Sequence, residues 1–327
     1  MDASTRALLS EIIDYAGLFP PARLDLEPAL RAYARYRTEP DAWMLGKFVC
    51  PAARLPELTD HGARLFSHAH PIGVSVLVGG GEQTPQFLDT LRRDVLAIRD
   101  FRAAAGGWAR IEAMELRVPE DVCRSADAGT ASEFLIDVEE CFVQCGEEPL
   151  TPDYHEFTLP DRNREALDAL ARGFAQYCRG GGRASPTPAG VKLRCGGLEA
   201  SAVPDSEWIA AYIEVCREHQ LPLKFTAGLH HALPRFDPAV RTTTHGFLNV
   251  FVGGVLAYAL PLPHHDLRAI LDETDARHFH FGPEFLGWND ADASVGEVRF
   301  ARQHRVLSFG SCSFDEPRED LRQLGLI

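Results

Sequence analysis

The sequence has no apolar run long enough to cross a lipid bilayer. Its longest, residues 247–262, falls short of the roughly 20 residues that a membrane-spanning helix needs. Residues 1–6 also lack the basic and then apolar pattern that opens a secretory signal. We therefore expect a cytoplasmic protein with no membrane partner.

Positive charge is scarce, with 33 Lys and Arg against 47 Asp and Glu and a net charge of −14. This balance offers no basic surface to a phosphate backbone, so we expect no nucleic-acid partner. The eight cysteines contain no CxxC pair, which argues against a structural zinc site and favours reduced thiols. A dinucleotide-binding loop is missing too, because the glycines at 79–81 lack the GxGxxG spacing.

The sequence does contain an alternation of short β-rich segments with helical ones, which is typical of parallel βα units. The candidate strands are residues 44–50, 72–78, 111–118, 134–138, 190–195, 222–226, 278–282 and 306–310. Eight such units predict an α/β fold, a (βα)₈ TIM barrel that forms one domain over residues 1–327. Within it, residues 1–40 are expected to form a short N-terminal helix, around residues 4–15, and a segment that closes the barrel. A doubly wound open sheet is the alternative fold, and residues 155–159 are an alternative fourth strand.

Several helices are predicted from their first residues and their apolar spacing. Thr84, Asp161 and Asp205 are candidate N-caps, each followed by apolar residues three or four positions apart. The most apolar helix is predicted over residues 246–260. Because an exposed apolar helix favours association, a homo-oligomer is expected.

Two neighbouring strands carry cations at positions where a barrel interior is usually apolar. Residues two apart on a strand share a face, so Lys192 lies with Arg194, and Lys224 with Thr226. Since active sites of this fold gather at the carboxyl ends of the strands, these residues are candidates for catalysis and substrate binding. In this interpretation Lys192 and Lys224 are catalytic, whereas Arg194 and Thr226 hold an anionic substrate.

Carboxylates and a third lysine extend this charged set. Lys47 on the first candidate strand is a further substrate anchor, and Glu112 or Glu115 on the third is the compensating carboxylate, with Glu112 the preferred catalytic residue. Such a cluster can hold an anion and shift the pKa values of its own members. The alternative is a ring of buried ion pairs that only completes the barrel layers.

The segment Lys224-Phe-Thr226-Ala-Gly228 resembles the Lys-x-Ser/Thr-x-Gly motif on strand six of deoxyribose-phosphate aldolase and its class I relatives. In that family this lysine is the covalent nucleophile, so the resemblance implies a carbon–carbon lyase that forms an imine on Lys224. The family's second lysine lies on the following strand in a Lys-x-x-Gly-Gly context. Here the comparable Lys192-Leu-Arg194-Cys-Gly196-Gly197 lies on the preceding strand.

Histidines near the predicted barrel mouth supply a second chemistry. His230, His231 and His245 are candidate acid–base residues, and Asn249 lies one helical turn beyond His245 as a substrate-binding candidate. The same histidines with a carboxylate could instead hold a divalent metal ion, in a metal-dependent hydrolase, lyase or isomerase.

The last predicted strand ends in small residues that let backbone N–H groups approach an anion. The substrate-binding candidates there are Ser308, Gly310, Ser311 and Cys312. Cys312 has two further interpretations, a catalytic nucleophile or a small buried hydrophobe.

Together these features predict an enzyme that acts on a small anionic carbonyl metabolite, with Lys224 as an imine-forming or electrostatic lysine. Its cofactor is either none or a divalent metal ion. A barrel that binds a metabolite without catalysis is the remaining alternative.

Overall fold

The protein is a closed, eight-stranded parallel β-barrel surrounded by helices, as seen in a computed structural model that describes residues 1–149, 152–180 and 189–327. Around the barrel the strands follow the order Ile13–Tyr15, Val306–Ser311, Leu223–Thr226, Gly190–Arg194, Asp153–Glu156, Ala109–Arg117, Ile72–Leu77 and Leu45–Pro51, and the last of these closes the ring onto the first. The predicted (βα)₈ TIM barrel with an N-terminal helix is confirmed.

The element bounds are as follows. The strands are β1 (Ile13–Tyr15), β2 (Leu45–Pro51), β3 (Ile72–Leu77), β4 (Ala109–Arg117), β5 (Asp153–Glu156), β6 (Gly190–Arg194), β7 (Leu223–Thr226), β8 (Arg235–Asp237), β9 (Thr242–Thr244), β10 (Phe279–Phe281), β11 (Phe285–Trp288), β12 (Ala291–Ser294) and β13 (Val306–Ser311). The helices are α1 (Ala3–Leu9), α2 (Leu26–Tyr36), α3 (Leu55–Gly62), α4 (Thr84–Ala105), α5 (Glu120–Ser125), α6 (Ala128–Gln144), α7 (Arg164–Arg179), α8 (Ser206–His219), α9 (Phe247–Ala259), α10 (His264–Asp272), α11 (Val295–His304) and α12 (Asp315–Gln323).

The first barrel strand lies inside the segment that was expected to be an N-terminal helix. The helix α1 ends at Leu9, Glu11 adopts a left-handed backbone with φ of 49°, and β1 then begins at Ile13. This three-residue strand is held between β13 and β2, with Ile13 opposite Phe309 and Leu45. The apolar residues of β1 directly continue those of α1, so the hydrophobic pattern alone predicts one helix across both.

The fourth strand was expected at residues 134–138, and this is wrong. Those residues lie within α6, which begins where the Asp127 side chain accepts a hydrogen bond from Thr130 N, 2.8 Å away. Ala131, Phe134, Leu135 and Val138 are buried at helical spacing, so their apolar run covers the barrel from outside. The barrel strand is β5, which overlaps the alternative segment 155–159.

The strand expected at residues 278–282 is also not part of the barrel. It is β10, which pairs antiparallel with β11, and β11 pairs antiparallel with β12. Residues 289–290 join the last two strands, with Asn289 at φ of 50°. A connection this short allows only antiparallel pairing, because parallel strands need a long crossover.

The apolar helix α9 is an internal element of the fold. Residues 247–257 are all buried, and α9 packs against α8, α10 and α11. The apolar surface from which a homo-oligomer was expected is therefore covered within the chain. Among the helices that the structure describes, none is both long and apolar enough to cross a membrane.

Candidate active site

A cavity of about 590 Å³ opens at the carboxyl ends of the barrel strands. Its walls come from the ends of β4 and β6, from the segments that follow β3 and β5, and from the start of α8. The polar residues that line it include Glu115, Arg117, Glu156, Thr158, Arg162, Lys192 and Arg194. This is the end at which barrels of this fold carry their reactive groups.

The inner part of the site is a buried ion pair between the first and seventh barrel strands. Asp14 on β1 and Lys224 on β7 are 0% and 1% exposed, and the lysine ammonium donates a hydrogen bond to the Asp14 carboxylate. Ser308 on β13 donates to the same carboxylate oxygen over 2.7 Å and accepts from Lys224 over 3.2 Å. The second Asp14 oxygen accepts the backbone N–H of Lys47 over 2.7 Å. Both charges are thus fully hydrogen-bonded inside the barrel.

The chain of charges continues from this pair towards the cavity. Lys224 lies 3.4 Å from one oxygen of Glu115, which also accepts the Ser75 hydroxyl over 2.8 Å. The other Glu115 oxygen lies 3.3 Å from the amine of Lys192. Lys192 in turn lies 3.2 Å from Glu156. Positive and negative groups therefore alternate from the barrel centre to the cavity floor.

Arg194 ends the chain at the cavity mouth. Its guanidinium donates to Glu156 over 3.3 Å, and its side chain is 51% exposed. Lys192, which is only 6% exposed, shares the cavity with it. The order Asp14, Lys224, Glu115, Lys192, Glu156, Arg194 thus runs from a dry interior to solvent within one line of contacts.

Burial and neighbouring cations together set the charge of the two glutamates. Burial alone would raise the pKa of Glu156, but Lys192 and Arg194 outweigh it and hold that pKa below its ordinary value. The same competition lowers the pKa of Glu115, where burial is opposed by Lys224 and Lys192. Both side chains are therefore carboxylates at neutral pH.

Lys224 is held as an ammonium ion. Burial favours its neutral amine, but Asp14 and Glu115 outweigh burial and raise its pKa well above the ordinary value. Gly228, the last residue of the aldolase-like motif, has φ of 75°, and a side chain there would collide with the backbone of Gly196. Backbone packing thus accounts for this glycine without a substrate contact.

Two arginines at the cavity are open to an anion. Arg117 donates to the Thr158 hydroxyl over 3.0 Å, and within the described part of the chain it forms no ion pair. Arg194 is exposed at the same cavity, on β6, which is separated from the strand of Arg117 by β5. Arg162 is committed instead to Asp205 and to the carbonyl of Val203. A carboxylate or phosphate entering the cavity would meet the first two guanidinium groups.

The structure brings some predicted site residues together and separates others. Lys192, Arg194 and Lys224 belong to one contact chain, and Ser308 bonds to its inner end. Thr226 follows Lys224 at the end of β7, half-buried and opposite Arg194 across the strands. These residues were selected from the sequence by the period of two along a strand.

Lys47 and Glu112 lie at the other end of the barrel. Both line a cavity together with Pro71 and Gly73. Pro71 precedes β3 and Gly73 lies near its start. In β4, residue 112 is an extra residue at a β-bulge, since Val74 pairs with Ile111 and Ser75 with Ala113. The bulge shifts the phase of the strand, and Glu115 rather than Glu112 contacts Lys192.

The histidines are engaged away from the cavity floor. His230 lies 3.0 Å from Glu316, and His231 lies 3.1 Å from Asp320, both carboxylates of α12. His245 lies 2.6 Å from the carbonyl oxygen of Pro204, and burial lowers its pKa. The Asn249 amide donates to the carbonyls of Ile270, in the last turn of α10, and Glu273, just after it. These bonds join α9 to the end of α10. Across residues 1–149, 152–180 and 189–327, no three His, Cys, Asp or Glu side chains form a group suited to a metal ion.

The end of the last barrel strand does not favour an anion. The helix α12 that follows has Asp315 and Glu316 in its first turn, where they oppose a negative ligand. The Ser311 hydroxyl already accepts the N–H of Ser313 over 3.3 Å. Gly310 packs closely against Thr226 on β7. Cys312 is 8% exposed, and burial raises the pKa of its thiol, so it fits a small buried side chain.

Sequence reasoning missed Asp14 and Glu156. Asp14 lies in the apolar run Ile12-Ile13-Asp14-Tyr15, and a single carboxylate in such a run is a signal for a buried partner. Glu156 is the last residue of β5, whereas the sequence pattern predicts that strand at residues 134–138. One acid on each of three strands, together with two bases on β6 and one on β7, is the pattern that would have indicated these contacts.

Comparison with models of known protein families gave no match, and comparison with curated protein sequences gave none either.

Proposed function

We propose that the chain is an enzyme that acts on a small anionic carbonyl compound at the carboxyl end of the barrel. The observation that carries this proposal is the contact chain that ends in Lys192, Glu156 and Arg194 at the floor and mouth of one cavity. A cation and a carboxylate 3.2 Å apart in a mostly dry site are a pair suited to proton transfer beside a carbonyl group.

Each group has a role that follows from its position. Arg194 and Arg117 bind the carboxylate or phosphate of the substrate, because they are the exposed cations of the cavity. Lys192 donates a hydrogen bond to the carbonyl oxygen. Glu156 takes a proton from the carbon beside the carbonyl group. The electron pair of the broken C–H bond becomes the C=C bond of the enolate, and the C=O π pair moves onto the oxygen, where Lys192 stabilises it. Enolate formation of this kind is the common step of aldolase-like lyases and of isomerases.

Lys224 acts through its charge rather than as a covalent nucleophile. An imine requires a neutral amine that the substrate can reach. Lys224 is 1% exposed, bonds to Asp14 and Ser308, and has a raised pKa. Its contact with Glu115 instead fixes the carboxylate that orients Lys192.

Exchange of substrate protons with solvent tests this function without knowledge of the full reaction. The complete chain is incubated in D₂O with pyruvate, dihydroxyacetone phosphate or glyceraldehyde 3-phosphate, and proton NMR follows loss of the signal of the C–H protons beside the carbonyl. We expect catalysed exchange with at least one compound, and Glu156→Gln lowers its rate about 10²- to 10⁴-fold because the proton acceptor is removed.

The matched control is Glu165→Gln, an exposed residue of α7 that undergoes the same chemical change. It is expected to keep the wild-type rate. A parallel sample treated with borohydride is expected to show no added mass on Lys224. An adduct on Lys224 would overturn the electrostatic role, and the absence of exchange with every compound would overturn proton abstraction.

A further inference from the structure

A second and larger cavity, of about 770 Å³, opens at the opposite end of the barrel. Its walls include Pro152 and Pro222, which precede β5 and β7, and Ser308 near the start of β13. The helices α1 and α11 flank it. This is the amino end of the strands, and no group of the proposed catalytic cavity lines it.

The charge of this second cavity is opposite to that of the protein. The whole chain has a net charge of −14. The lining of this cavity, by contrast, contains several cations and one carboxylate, Glu11. The cations are Arg6, Lys47, Arg299, Arg302 and Arg305. None of them forms an ion pair with an Asp or Glu of the described residues, although acids outnumber bases in the sequence.

The five cations differ in how far they are committed. Buried Arg302 donates to the carbonyls of Leu8 and Ser10 over 2.6 and 3.1 Å and also to the carbonyl of Val306. Within the described residues it forms no ion pair, and Asp14 and Glu11 act on it only through their charges. Arg305 likewise bonds to the backbone and side chain of Gln220.

Lys47 and Arg299 are available to a ligand. The side chains of both line the cavity, and in the part of the chain that the structure describes neither makes a side-chain hydrogen bond. The guanidinium group of Arg6 lies over the ring of Trp43, 4.1 Å from the ring centre, and in this stacked position its N–H groups point along the plane of the guanidinium rather than into the ring. Phe300, 54% exposed, and His304 form an aromatic rim with ring centres 5.0 Å apart.

We propose that this cavity is a binding site for a small phosphate-bearing metabolite, held by Lys47 and Arg299 and by the charge of Arg302. A dianion or trianion would supply the negative charge that balances this cluster of cations. Guanidinium groups bind phosphate oxygens through two parallel hydrogen bonds. The volume exceeds that of a free phosphate, and the rim of Phe300 and His304 supplies an apolar contact for an organic portion. Because chemistry in this fold lies at the other end, the site binds without catalysis.

Titration calorimetry with inorganic pyrophosphate tests the site in the complete chain. We expect saturable binding, and Arg299→Gln weakens the binding phase of this cavity about tenfold or more by removing a charge-assisted hydrogen bond. A separate phase at the carboxyl-end cavity, where Arg194 and Arg117 can also meet a phosphate, is expected to be unchanged by Arg299→Gln. Lys47→Gln is expected to weaken it to a similar extent. Arg299 is exposed on α11, so its replacement leaves the fold intact.

Two control variants separate this site from other sources of binding. Arg93→Gln changes the net charge equally at an exposed position of α4, and Arg194→Gln removes a cation from the catalytic cavity. Both are expected to leave the dissociation constant of the amino-end site within about twofold, whereas Arg194→Gln weakens any separate phase at the carboxyl-end cavity. Weakening by Arg194→Gln but not by Arg299→Gln, equal weakening by Arg93→Gln, or no saturable binding would each overturn the proposal.

Discussion

Replacing Asp14 with Asn is expected to lower the free energy of unfolding by about 3 to 5 kcal/mol, because it leaves the buried Lys224 ammonium without its main counter-charge. Asp14 is fully buried and bonds to Lys224, Ser308 and the backbone of Lys47. Urea unfolding followed by circular dichroism measures the change. A loss below about 1 kcal/mol would show that the ion pair contributes little.

The double variant Asp14→Asn/Lys224→Met is the matched control. Removing both charges replaces an orphaned ion with an apolar side chain, so most of the lost stability is expected to return. If the double variant is as unstable as Asp14→Asn alone, then the hydrogen bonds of Asp14, rather than the charge balance, account for the loss.

Acid titration of the wild type provides an independent check on Asp14. Burial would raise its pKa, but Lys224 and Lys47 outweigh burial and lower it from 3.8 to about 2. A folded pKa below the unfolded one gives stability that is present above pH 3.8 and is lost as the pH falls towards 2, about 2 kcal/mol in all. The Asp14→Asn variant is expected to lack this part of the acid dependence.

Replacing Lys192 with Met is expected to lower the rate of proton exchange about 10²- to 10³-fold, because the enolate oxygen loses its hydrogen-bond donor. The measurement is the same exchange experiment in D₂O, at saturating concentration of whichever compound the wild type accepts. Lys192 also lies between Glu115 and Glu156, so its loss affects the charge balance of the cavity floor.

Lys192→Arg separates the catalytic role of this lysine from its structural role. Arginine keeps the positive charge between the two carboxylates but moves the donor nitrogens, so we expect a wild-type unfolding curve and a reduced exchange rate. A folded Lys192→Arg or Lys192→Met variant with the wild-type rate would contradict the proposed mechanism.

Periodicity along the chain predicted most of the barrel but not its two least regular strands. Segments such as β3 and β6 are bounded by turn residues and match the predicted ranges within one or two residues. The strand β1 has three residues and continues the apolar run of α1, so no local pattern separates the two. Residues 134–138 are apolar in sequence, and only the cap at Asp127 reveals the helix around them.

The candidate site was predicted in part for similar reasons. Lys192, Arg194 and Lys224 were found because alternation along one strand is local information. Their partners lie far away in sequence, since Asp14 and Lys224 are 210 positions apart and meet only when the barrel closes. Glu115 was not separable from Glu112 because a β-bulge, invisible in the sequence, decides which of them faces inward. The sequence does not show that His230 and His231 lie beside carboxylates of α12, because those carboxylates come at the far end of the chain.

A crystal structure of the complete chain grown with oxalate tests most directly where the anionic carbonyl substrate binds. Oxalate is a planar dianion that mimics the enolate of a 2-oxo acid. We predict oxalate in the cavity at the carboxyl end, with one oxygen within hydrogen-bond distance of the Lys192 amine and a carboxylate on Arg194 or Arg117. A carboxyl-end cavity that stays empty at saturating oxalate, or oxalate bound beside His230 and His231 instead, would contradict the proposed site.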